Sequence, residues 1–99
     1  MRMMLRARMN TAIASQAIKN GTLPKVIGAF IERNKPEAAY FTVDNGQRTA
    51  FFVFDMKDSS QLPPLAEELF MELGAELDFT PVMYADDLKA GFEALAAQK

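Results

Sequence analysis

The strongest constraint on the fold is the dipeptide Asn45-Gly46, set between two runs of aromatic and β-branched residues. Both turn positions of a tight hairpin need positive φ, which Asn tolerates and Gly adopts freely, so Glu37–Val43 and Arg48–Phe54 are predicted to form antiparallel strands. The second run, Arg48-Thr49-Ala50-Phe51-Phe52-Val53-Phe54, is apolar on both faces: Ala50, Phe52 and Phe54 alternate with Phe51 and Val53. A strand with one wet face alternates apolar with polar residues. A continuous apolar run belongs to a strand covered on both sides.

The other elements follow from their periods. Met1, Met3, Leu5, Ala7 and Met9 alternate with Arg2, Met4, Arg6 and Arg8, which is the period of a strand. Asn10 is placed to cap a helix through Ile13, Ala17 and Ile18. Gly21-Thr22-Leu23-Pro24 kinks or breaks that helix, and the helical spacing resumes at Val26, Ile27, Phe30 and Ile31 until Asn34-Lys35-Pro36 stops it. Asp58 and Gln61 have capping-box spacing ahead of a helix with Leu65, Leu69 and Leu73 on its apolar stripe, closed by Gly74. Residues 75–84 alternate again, and Pro81 assigns that strand to a sheet edge. Asp86 and Asp87 open a short last helix whose apolar positions are Leu88, Phe92 and Leu95.

Strand, helix, strand, strand, helix, strand is the α+β order of a ferredoxin-like βαββαβ sandwich, here with an extra C-terminal helix in a single domain over residues 1–99. Its usual strand order, 4-1-3-2, puts the doubly apolar third strand in the centre, with helices on one face only. The other face then needs a cover. A second copy packed sheet against sheet is the economical one, so a homodimer is expected. The first strand lies beside the fourth, and Arg6 and Arg8 are expected to pair with Glu76 and Asp78.

Lys35-Pro36-Glu37-Ala38-Ala39-Tyr40-Phe41, Asn45-Gly46-Gln47-Arg48 and Pro81-Val82-Met83 with Asp87-Leu88 resemble an uncharacterised bacterial family of about this length. That family is similar in layout to the dimeric α/β-barrel superfamily, in which two ferredoxin-like chains pair through their sheets. The resemblance implies a homodimer with a cleft between sheet and helices. The wider superfamily includes cofactor-free monooxygenases, isomerases, haem-binding enzymes and proteins without known activity. None of their catalytic motifs maps onto this chain.

Composition narrows the chemistry. With no Cys and no His, thiolate nucleophiles, disulfides, Ser–His devices and the usual zinc and haem ligands are excluded, and neither a metal nor a cofactor is expected. A net charge of −2 argues against nucleic acid, whose binding rests on excess Lys and Arg. The RNA recognition motif shares the element order, but Thr49 and Ala50 stand where its third strand needs a glycine and a stacking aromatic. Charge is unevenly spread, since residues 1–31 hold five bases and no acid. The alternation of the first nine residues is that of a strand, unlike the amphipathic helix of a transit peptide. No apolar stretch has membrane-spanning length, so a cytoplasmic protein without membrane contact is expected.

The candidate ligand-binding residues are Arg6, Arg8, Tyr40, Phe51, Val53 and Asp78. Guanidinium groups grip carboxylates, a tyrosine hydroxyl donates to a carbonyl, and Phe51 and Val53 supply an apolar wall. The bland readings are salt bridges for the arginines and core or interface packing for the aromatics. Glu76 with Asp78 is expected to form ion pairs, and Asp86 with Asp87 to serve as helix-start charges, rather than to act as acid–base or metal groups. The expected function is the binding of a small apolar or aromatic molecule by a homodimer, in a pocket between sheet and helices. The alternatives are a cofactor-independent enzyme on such a compound and an interaction module without a ligand. The interaction reading requires a filled sheet–helix space and an exposed apolar patch, expected near the helix of Leu88, Phe92 and Leu95.

Overall fold

The computed structural model describes residues 1–98. Its elements are β1 (Arg2–Arg8), α1 (Thr11–Lys19), α2 (Thr22–Asn34), β2 (Ala38–Asp44), β3 (Gln47–Asp55), α3 (Leu62–Leu73), β4 (Glu76–Pro81) and α4 (Ala85–Ala97), with a single 3-10 turn over Ser59–Gln61. The result is an α+β protein with four helices and one antiparallel four-stranded sheet in the order β2-β3-β1-β4. That order is compatible with a ferredoxin-like arrangement.

Local chemistry sets the boundaries. Asn45 and Gly46 have φ of 52° and 76°, the two positive values a tight hairpin requires. Asn10 Oδ1 accepts from Ile13 N at 3.0 Å and starts α1. Of the kink or break expected at Gly21 (φ 80°), the structure has the break, which leaves two helices. Asp58 and Gln61 form the expected capping box, but around the 3-10 turn that precedes α3.

Helices α1, α2 and α3 cover one face of the sheet. Leu5, Phe30, Phe52, Leu69 and Leu73 are almost fully enclosed between the layers, each contributing about 1.5–3 kcal/mol by burial. Phe30 and Phe52 pack with ring centroids 4.4 Å apart. The opposite face carries no helix, and Met4, Phe51 and Val53 are half-buried on it. Among the described residues, no helix is long and apolar enough to cross a membrane.

Helix α4 departs from the body of the molecule. None of its residues is buried, and Leu88, Phe92 and Leu95 are 43%, 60% and 60% exposed. The molecule measures 58 × 28 × 19 Å with a radius of gyration of 16.1 Å, against about 13 Å for a compact chain of this length.

Candidate binding surface

Strand register assigns the helix-free face. Directly opposed residues share a face, so Arg2, Met4, Arg6 and Arg8 of β1 lie with Phe51 and Val53 of β3, Ala38, Tyr40 and Thr42 of β2, and Glu76 and Asp78 of β4. All six candidate ligand residues are therefore on this face, with the sheet between them and the helices. The middle of the sheet–helix space is filled by the core side chains, and apolar concavities lie along its margins.

The arginines find different partners from those expected. Arg6 lies opposite Asp78 and Arg8 opposite Glu76, yet both turn the other way, to Asp44 at the end of β2. Arg8 Nε and Nη2 donate to Asp44 Oδ2 at 3.1 and 3.0 Å, and Arg6 Nη1 lies 3.9 Å from the same oxygen. Thr49 is the strand residue between Arg8 and β2, and its short side chain lets the guanidinium reach across β3. Thr49 is itself buried. Arg6 Nε is buried without a hydrogen-bond partner, while the Arg6 guanidinium lies 5.9 Å from the Phe51 ring centroid.

At the other end of this face is a concavity of about 310 Å³. Its apolar wall comes from Met4, Ala38, Tyr40, Val53, Val82 and Met83, and its polar rim from Arg2, Glu37 and Tyr84. The rim groups are tied together. Arg2 Nε donates to Glu37 Oε1 at 2.6 Å, the Tyr84 hydroxyl donates to Glu37 Oε2, and the Arg2 guanidinium stacks 3.6 Å from the Tyr84 ring centroid. Asp87 closes the group, accepting from Tyr84 N at 3.0 Å and from Arg2 Nη1 at 3.4 Å.

This network shifts its members in opposite directions. The Tyr84 hydroxyl first, then the Arg2 guanidinium, hold the Glu37 carboxyl below its ordinary range. Glu37 in turn raises the Tyr84 phenol and Arg2 above theirs. The carboxylate stays charged and the phenol stays neutral across the physiological range, an arrangement suited to holding geometry rather than moving protons.

Of the six candidates, Tyr40 and Val53 line the concavity, and Arg6 and Phe51 lie beside them in the sheet. Arg8 belongs to the Asp44 cluster, and Asp78 is exposed on edge strand β4. Sequence reasoning passed over Glu37 and the junction of Tyr84 with Arg2. These groups are 35 to 82 residues apart in the chain, and no spacing rule joins them. The one local signal was Asp87, three residues after Tyr84, at the position where a carboxylate reaches back to the start of its helix.

A scan against protein-family models, a search of curated proteins and a search of solved structures each returned no match to this chain.

Proposed function

We propose that this chain works as a ferredoxin-like homodimer, paired through the helix-free faces of its sheets in the manner of a dimeric α/β barrel. Each copy holds a small apolar or aromatic molecule in the concavity beside Tyr40 and Val53. The observation that carries this reading is the concavity itself: an apolar wall with a few polar groups at one rim, at the small end of the usual size range for ligand sites. Two further features support it. Phe51 and Val53 leave apolar surface on a face that no helix covers. The buried, unpaired Arg6 Nε calls for an acceptor, which a carboxylate of the ligand or of a second copy would supply. The resemblance to the uncharacterised bacterial family agrees with the same architecture.

Native mass spectrometry of freshly purified protein tests both halves. A dimer with a reproducible added mass supports the reading. A monomer overturns the pairing. A bare dimer that also fails to take up the aromatic probe 8-anilinonaphthalene-1-sulfonate overturns the ligand site. Phe51→Asp puts a charge in the middle of the helix-free face and is expected to give monomer or aggregate. A stable dimer from that variant would refute sheet-to-sheet pairing.

A second reading, an interaction module without a ligand, is favoured by one specific observation: the filled sheet–helix core beside the exposed apolar stripe of α4. It predicts association without bound small molecules.

A further inference from the structure

Helix α4 has only 13 residues and carries Gly91 in its interior. A lone helix of that length is marginal in water, and an interior glycine costs about 1 kcal/mol more than alanine. Leu88, Phe92 and Leu95, spaced four and three apart, form one stripe that is 43% to 60% exposed.

We infer that α4 is an exchanged arm: in the dimer, the stripe of each copy docks on an apolar ledge of the other, formed by Ile18, Leu23, Phe41 and Val43. The inference rests on the homodimer reading above. The ledge exists because β2 overhangs the helix layer. Phe41 and Val43 face the helix side of the sheet, yet they are 56% and 71% exposed. A groove of about 200 Å³ separates Phe41 from Ile18 and Leu23, with Arg48 on its rim.

Charge selects this ledge over the other apolar groove. With Asp87 held by Arg2 and the Tyr84 backbone, helix α4 offers Asp86 and Glu93 against Lys89, a balance of −1. Arg33 of α2 is paired with Glu68 of α3, so α1 and α2 offer Lys19 and Lys25 against Glu32, and Arg48 beside them brings the balance to +2. The competing groove lies under α3, where Glu68 is paired with Arg33 but Glu67 and Glu72 would repel an acidic helix.

The ledge does not carry the helix of its own chain, whose start is held at the opposite end and side of β2. Tyr84 is fastened to Glu37, at the start of β2 on the helix-free side. The ledge is at the far end of β2 on the opposite side of the sheet.

Area makes the exchange reciprocal. Half the surface of a cylinder ~20 Å long and ~10 Å across is about 300 Å². One-way docking would bury about 600 Å² in total, counting helix and ledge, which is the scale of a packing contact. A mutual exchange buries about 1,200 Å², the lower bound for a specific interface.

The test compares the full-length chain with Phe92→Glu and Val43→Glu by sedimentation velocity across a concentration series, with circular dichroism as the folding check. Both side chains are exposed, so both variants are expected to fold. Each should weaken the dimer at least about 30-fold, as loss of an interface anchor does, and the double variant should weaken it little further. Added salt should weaken the wild-type dimer. A dimer insensitive to both substitutions overturns the arm exchange and leaves sheet pairing, probed by Phe51→Asp, intact. Sensitivity to Phe92→Glu alone overturns the ledge as the docking surface. A monomeric wild type overturns both readings.

Discussion

Glu37 shows how much a single exposed carboxylate can organise. One oxygen takes the Arg2 guanidinium and the other the Tyr84 hydroxyl, so one side chain joins the start of β1, the start of β2 and the approach to α4. Its lowered pKa makes the junction pH-sensitive. The unfolded carboxyl titrates near 4.3, so its contribution to stability is complete above that value and is lost as pH falls through the lower folded value. The Tyr84 phenol, raised by the same bond, contributes below about pH 10 and loses that contribution as pH rises through its folded value. Tyr84→Phe removes the largest cause of the Glu37 shift. Its urea midpoint is expected to fall less between pH 6 and pH 3 than that of the wild type, and equal falls would show that the bond does not hold in solution.

Among the elements, the turn from α3 into β4 is the most tightly specified. Gly74 has φ of 56°, and a Cβ there would stand 2.6 Å from Ile13 Cδ1 and 3.1 Å from Asn10 Cβ. The left-handed backbone disfavours any residue with a Cβ, and Ile13, itself 44% exposed, would have to swing its Cδ1 aside to admit one. Gly74→Ala is expected to cost about 1–3 kcal/mol, read as a lower urea midpoint at unchanged slope. Elements of this kind were legible in the chain. The Asn45-Gly46 hairpin, the Asn10 cap, the alternation of β1 and the edge position of β4 all rest on contacts within a few residues. The helix break at Gly21 was legible as a disturbance but not in its extent, because whether a glycine kinks or ends a helix depends on what both halves pack against.

At the scale of the whole molecule, α4 and the helix-free face are two surfaces that carry exposed apolar groups for a second copy to cover. If α4 is an exchanged arm, its backbone amides should exchange with deuterium much more slowly in a concentrated sample than in a dilute one, while β1 and β3 exchange alike in both. Protection of α4 that does not change with dilution through the dimer dissociation range would count against a partner copy. The arginines teach the same lesson about long range. Strand pairing put Arg6 and Arg8 opposite acids on β4, and that register is present, but their guanidinium groups reach across β3 to Asp44. A side chain as long as arginine reaches more than one neighbouring strand, so register alone does not choose its partner.

The chain by itself determined the kinds of element, most of their ends and their succession along the chain, because caps, turns and hydrophobic periods act between near neighbours. It also narrowed the chemistry by leaving out Cys and His. Tertiary structure decided which groups meet: the Arg2–Glu37–Tyr84 junction, the turn of the arginines toward Asp44, the filled layer between sheet and helices, and the outward course of α4. Those outcomes follow from the separation and tilt of packed elements, quantities set by the whole core at once and written in no short stretch of residues.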